Sequence, residues 1–210
     1  GKGGNVGTFV RGVNSEDAKD ASSNIHSNAS CTTTCIAPVM NILHSSFGVK
    51  KAMMTTIHGY TADQSLQDGP HKDLRRARAA AVNIIPTTTG AAIATTETIP
   101  DLKDKFDGMA IRVPVPVVSI SDITLILDKE TSAEEVNEVF AKASKNVLYD
   151  GILDVTEEPL VSADFIKNAH SAIIDVSLTK VVDGDMVKVI AWYDNEWGYS
   201  NRLIEFVAEV

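Results

Sequence analysis

The run with the sharpest chemical potential is Ser27-Asn28-Ala29-Ser30-Cys31-Thr32-Thr33-Thr34-Cys35. Apolar Ile36, Val39, Met40 and Leu43 recur at three- and four-residue spacing, which predicts a helix over residues 30–46 capped by Ser30. Cys31 then falls in the first turn, where unpaired N–H groups and the positive end of the helix dipole stabilise an anion. That position is expected to lower the thiol pKa, and the thiolate is the nucleophilic form. Cys35 lies one turn further in, ahead of Ile36, Ala37 and Pro38, and reads as a buried small residue. It is a poor redox partner, since C-x-x-C is the spacing with a known mechanism. A single cysteine at a helix start can equally be inert packing, and this run alone leaves both readings open.

A cysteine nucleophile needs a base, usually histidine. His26 and His44 flank the helix of Cys31, and His71 and His170 sit in polar stretches. His58 differs: it ends the apolar run Met53-Met54-Thr55-Thr56-Ile57 and precedes Gly59, which puts it at a strand end. The pattern leaves His58 open between a base and a satisfied loop histidine. No His, Cys or Asp cluster has metal-ligand spacing, so no metal is expected.

A second signal is anion binding. Thr87-Thr88-Thr89-Gly90 precedes a predicted helix and offers hydroxyls and amides to a phosphate. Arg75, Arg76, Arg78 and Arg112 could make bidentate phosphate contacts, or could be solvated surface residues. Four glycines stand in the first seven positions, but Gly1-Lys2-Gly3-Gly4 fits neither phosphate-loop pattern and reads as a connection. Taken alone, these residues point to a thiol enzyme acting on a small phosphorylated compound.

The elements that must position them follow from periodicity. Strands are expected over residues 8–13, 49–57, 108–113 and 117–127, with helices over 89–99 and 131–146, the latter marked by a Ser132/Glu135 capping box. A hairpin is expected between 172–182 and 186–193, turning at Asp183-Gly184, followed by an amphipathic helix over 197–210. Residues 59–85 carry little regular signal, and a long irregular excursion of that kind is usually functional or an oligomer contact. Strands and helices without regular βαβ alternation predict an α+β fold with a mixed, largely antiparallel sheet and helices packed on one face.

Composition narrows the function classes. The 210 residues carry 19 Lys and Arg against 28 Asp and Glu, a net charge of −9, which argues against general nucleic-acid binding or a polybasic membrane module. Hydrophobic content of 44% excludes wholesale disorder. No apolar run approaches the roughly 18 residues a membrane helix needs, and no secretory leader is evident at the start. Two cysteines cannot build a disulfide framework, so the cytoplasm is the expected compartment. The start, Gly-rich and without Met, reads as though something preceded it.

Six motifs carry a resemblance: residues 27–38 (SNASCTTTCIAP), 55–64 (TTIHGYTADQ), 71–81 (HKDLRRARAAA), 86–92 (PTTTGAA), 112–119 (RVPVPVVS) and 192–200 (WYDNEWGYS). In order and spacing the chain resembles phosphorylating glyceraldehyde-3-phosphate dehydrogenase. The resemblance implies three parts: residues 1–30 as the tail of a Rossmann NAD-binding domain, 31–196 as the catalytic domain, and 197–210 as a helix packing on the NAD domain. The Rossmann half has no counterpart in this chain.

The resemblance makes Cys31 the nucleophile that forms a hemithioacetal with the aldehyde, and His58 its base. It implies that Thr61, Arg76 and Arg112 hold the substrate phosphate, and that Ser30, Thr32, Thr89 and Gly90 hold the attacking inorganic phosphate. Asn195 would hold the nicotinamide carboxamide, with Tyr199 beside it. NAD is the implied cofactor, a small phosphorylated aldehyde the substrate, and glycolysis the setting. Residues 59–85 match the family's S-shaped loop, which packs across subunits and implies a homotetramer. The family's C-T-T-N-C becomes C-T-T-T-C here, with Thr34 in place of asparagine. Two further expectations stand beside this one: erythrose-4-phosphate dehydrogenase, and a catalytically incompetent fragment or assembly module.

Overall fold

The computed structural model describes residues 6–210, so the Gly1–Gly4 reading lies outside the described residues. In chain order the elements are β1 (Gly7–Thr8), β2 (His26–Ser27), α1 (Cys31–Phe47), β3 (Val49–Gly59), β4 (Ile85–Thr88), α2 (Ala91–Thr98), β5 (Phe106–Val113) and β6 (Ser119–Leu127). They continue through α3 (Ala133–Ala143), β7 (Leu153–Thr156), β8 (Ala172–Asp175), β9 (Lys180–Val182), β10 (Met186–Tyr193) and α4 (Trp197–Glu209).

Eight strands form one sheet in the order β4-β5-β3-β6-β10-β8-β7, with β9 also paired to β10. Only β3–β5 and β7–β8 run parallel, so the sheet is mixed and largely antiparallel, as expected. Strict alternation buries Ser119, Ser121, Ile123, Leu125 and Leu127 of β6 on one face. On that face Ile36, Val39, Met40 and Leu43 of α1 join Val136 and Phe140 of α3 in the main core. The fold is therefore α+β.

Two expectations need correction. The strand over 8–13 shrinks to Gly7–Thr8, because Val13 and Asn14 N–H groups donate to the Val10 carbonyl in a turn. Asn14 fixes that turn by accepting from Val10 N and donating to Thr8 O. The strand over 172–182 is two strands, β8 and β9, parted by a one-turn helix at Val176–Leu178. The turn at Asp183-Gly184 does form, with φ of 50° and 74° as a primed hairpin turn requires.

The boundaries of α1 and β3 decide where the chemistry sits. Ser30 is extended (φ −140°, ψ 166°) and its side chain accepts from Thr33 N. Ala29 before it takes φ 55°, an uncommon conformation for a residue with a Cβ, and it swings the chain into the cap. Gly48 (φ 71°) ends α1 and turns directly into β3. The register then pairs His58 with Arg112 on one side and Ser119 on the other, while Tyr193 pairs with Ser119. Four strand ends, those of β3, β5, β6 and β10, thus converge at the start of α1.

Candidate active site

Cys31 Sγ lies 3.6 Å from His58 Nε2, at the N-terminus of α1 and the C-terminal end of β3. Among the five histidines only His58 meets the thiol. His26 bonds the Ser23 carbonyl and stacks edge-on against Phe9, and His44 Nδ1 accepts from Val49 N at the end of α1. His71 faces Asp63 and Asp73, and His170 bonds Asn168. Those four are satisfied side chains, which the pattern alone could not decide.

His58 Nδ1 lies 2.7 Å from the Gly59 carbonyl, which can only accept; in the tautomer that donates this bond, Nε2 presents a lone pair to the thiol. Arg112 Nη1 lies 2.9 Å from Nδ1 and donates to Gly59 O at 3.1 Å, sharing that carbonyl. Gly59 is required here, since a Cβ would stand 2.9 Å from the Val115 carbonyl. Its own N–H donates to Ser119 Oγ, which donates onward to Asn195 Oδ1 at 3.0 Å.

Burial pushes the Cys31 thiol up, against hydrogen bonding from Thr32 and the charge of Arg112. The expectation of a lowered thiol pKa is thus corrected: desolvation outweighs the helix start in this resting state. Burial, helped by the Arg112 charge, brings His58 down to about 4. Both shifts favour a neutral thiol facing a neutral imidazole. Such a pair can make a nucleophile on demand, by transferring the proton as attack begins.

Of the other predicted residues, Arg112 lies against His58 itself. Arg112 reaches Thr61 Oγ1 at 3.5 Å, next to the thiol–imidazole pair. Arg76 is held by Asp63 at 2.6 Å, Thr87 Oγ1 at 2.8 Å and the Thr88 carbonyl at 2.9 Å. Its positive charge nonetheless acts on both His58 and Arg112. Thr89 Oγ1 accepts from Ala91 N, and Gly90 caps α2 with open space around its Cα. Arg75 is exposed, and Arg78 is exposed and pairs with Asp68. Tyr199 is half-buried, which raises its hydroxyl pKa, with a further push from Cys31. Thr34 is buried and donates to the Cys31 carbonyl at 2.9 Å, inside the helix. Among the described residues no group of three or more His, Cys, Asp or Glu could hold a metal ion, and no helix is long and apolar enough to cross a membrane.

Sequence reasoning missed Tyr193. Its hydroxyl, fully buried, bridges Thr32 Oγ1 at 2.9 Å and Thr56 Oγ1 at 2.8 Å, tying α1 to β3 directly beneath the Cys31–His58 pair. Its ring meets His58 edge-on, with centroids 6.1 Å apart. The available signal was its inward position on the β10 alternation. Tyr193→Phe strands two buried threonine hydroxyls and is expected to cost about 1–3 kcal/mol of stability. Urea unfolding with an unchanged slope would register the loss.

Residues 30–195 match the glyceraldehyde 3-phosphate dehydrogenase C-terminal domain family. Glyceraldehyde-3-phosphate dehydrogenase of Mycobacterium tuberculosis (strain ATCC 25618 / H37Rv) is 55% identical over 203 residues, and that of Mycobacterium leprae is 54% identical over 203. The protein named glyceraldehyde-3-phosphate dehydrogenase 2 of Bacillus subtilis is 54% identical over 204 residues. In each case the match takes in 97% of this chain and 59% of the relative, so the chain spans well under two thirds of those proteins.

Proposed function

The chain belongs to the glyceraldehyde-3-phosphate dehydrogenase family, and we propose that it carries the nucleophile and substrate half of an NAD-dependent oxidation of glyceraldehyde 3-phosphate to 1,3-bisphosphoglycerate, a step of glycolysis. The observation that carries this reading is the 3.6 Å Cys31–His58 contact beside the Arg112–Thr61 anion pocket. His58 Nε2 takes the thiol proton, and Sγ bonds to the aldehyde carbon. The carbonyl oxygen takes the negative charge beside the Cys31 N–H at the helix start, then the proton, giving a hemithioacetal. Nε2 withdraws that proton again as the hemithioacetal is oxidised to a thioester. Inorganic phosphate at Ser30, Thr32, Thr89 and Gly90 then attacks the acyl carbon, the C–S bond breaks, and the acyl phosphate leaves. Arg112, Thr61 and Arg76 hold the phosphate of the substrate itself.

Bound nicotinamide would supply the hydride acceptor. Asn195, fixed by Ser119, and Tyr199, near Cys31, fit its nicotinamide end. Among the described residues no G-x-G-x-x-G run is present to seat the rest of a dinucleotide. The full-length protein would be a cytoplasmic homotetramer. That assembly is supported by the loop over residues 59–85, where Leu66, Leu74, Val82 and Ile84 are 71–81% exposed.

The test uses the 210-residue chain. Glyceraldehyde 3-phosphate should protect Cys31 from iodoacetamide, and Arg112→Ala should remove that protection. The chain alone should reduce no NAD above background. Turnover near that of a full-length relative would overturn the second expectation, and unprotected Cys31 labelling would overturn the first.

A further inference from the structure

We propose that Ser119 is a positioning residue that locks the His58 imidazole and the Asn195 side chain into one unit, and that strained backbone at Val118 holds it in place. This role rests on the proposed function of Cys31, His58 and Asn195 and extends it to the residue that aligns them. Ser119 opens β6 and is buried. Its one hydroxyl serves two partners, accepting from Gly59 N at 3.3 Å and donating to Asn195 Oδ1 at 3.0 Å. Gly59 is also the residue whose carbonyl meets His58 Nδ1 at 2.7 Å. A hydrogen-bonded line therefore runs from Asn195, through Ser119 and the Gly59 backbone, to the imidazole that faces Cys31. His58 and Asn195 are buried as well, and a buried polar line with its members satisfied is rigid.

Val118, directly before Ser119, takes φ 73°. Among the described residues it is the only β-branched one at positive φ, a conformation its side chain disfavours. Such strain persists only where the surroundings over-determine it, and it clusters at functional sites. Val118 is held from two sides. Its side chain is buried with Phe165 and Ile173, and its carbonyl lies where a Cβ on Gly59 would come within 3.3 Å. The Val115 carbonyl accepts from Tyr60 N at 3.0 Å, so the loop over residues 115–118 is clamped to the backbone that follows His58. Relaxing Val118 would turn Ser119 Oγ away from Gly59 N and Asn195 Oδ1 together. A change at Asn195, the nicotinamide side of the site, is thereby felt at the base.

Ring-nitrogen NMR of the 210-residue chain at neutral pH reads the tautomer balance of His58. The parent chain should show one tautomer, with the proton on Nδ1. Ser119→Ala should move the ring signals toward a mixture of both tautomers and slow iodoacetamide labelling of Cys31 roughly tenfold. Ser119→Thr keeps the hydroxyl and should restore both readings. Asn195→Ala leaves Ser119 with one partner and should shift the same ring signals, which keeps the test alive should Ser119→Ala not fold. Ser121→Ala makes the same deletion two positions along the same buried face of β6 and should leave both readings at parent values. A tautomer mixture in the parent chain, unmoved ring signals in the folded variants, equal changes in Ser121→Ala, or no recovery in Ser119→Thr would overturn the proposal. A parent Cys31 that iodoacetamide does not label would instead overturn the thiol–imidazole reading, while the ring signals still decide the role of Ser119.

Discussion

Cys31→Ser is expected to abolish acylation of the chain by p-nitrophenyl acetate, and His58→Gln to slow it about 10²–10³-fold, the usual contribution of a placed general base. The size follows from the resting state. Burial holds the thiol above its ordinary pKa, so little thiolate is present at neutral pH without help. The lone pair that supplies the help is Nε2 at 3.6 Å, in the tautomer whose Nδ1–H bonds the Gly59 carbonyl. Because the two residues act as one unit, the double variant should be no slower than Cys31→Ser alone. Cys35→Ser should leave the burst intact, since Cys35 is fully buried and burial drives its thiol pKa far up. Mass spectrometry after brief alkylation reads the same contrast. Equal labelling of Cys31 and Cys35, or a full burst from His58→Gln, would sink the assignment of the pair.

Much of this site was legible as elements and little as pairings. The cap at Ser30, the helix behind it and the strand ending at His58 follow from apolar spacing and side-chain chemistry, which act within a few residues. Choosing His58 over four other histidines needed the register of β3 between β5 and β6, a long-range choice that no local pattern encodes. The thiol pKa was misjudged for the same reason. A helix start is a local feature, whereas the desolvation that overrides it comes from packing among distant segments. Tyr193 escaped because its role exists only when residues 32, 56 and 193 meet. The short turn between β8 and β9 escaped differently: residues 172–182 alternate as a strand should, and only the pairing partners reveal the break.

The second large effect is on stability at mildly acidic pH. His58 is 3% exposed and its pKa falls from 6.5 in a model peptide to about 4 in the folded chain. Between those values the unfolded chain binds a proton that the folded chain refuses, so stability rises with pH across that window. The contribution is fully present above about pH 6.5 and is lost as pH falls toward 4, at up to ~1.4 kcal/mol per pH unit and about 3 kcal/mol in all. Asp63, Asp68 and Asp73 act in a lower range. Arg76, the Ala79 N–H and Thr87 respectively hold their carboxyls below the ordinary value of 3.8, so those contributions fade only under more acid conditions. Cys31 stays a thiol across the whole window because burial pushes its pKa upward. Subtracting the urea stability of His58→Gln from that of the parent chain at pH 4.5, 5.5, 6.5 and 7.5 therefore isolates the imidazole. The difference should be flat above pH 6.5 and should shift against the parent chain below it. A difference that stays level down to pH 4.5 would mean that the imidazole titrates normally in the folded chain. The lone pair facing Cys31 would then be protonated through the mildly acidic range, and the acylation rate should fall below pH 6.5 along with it.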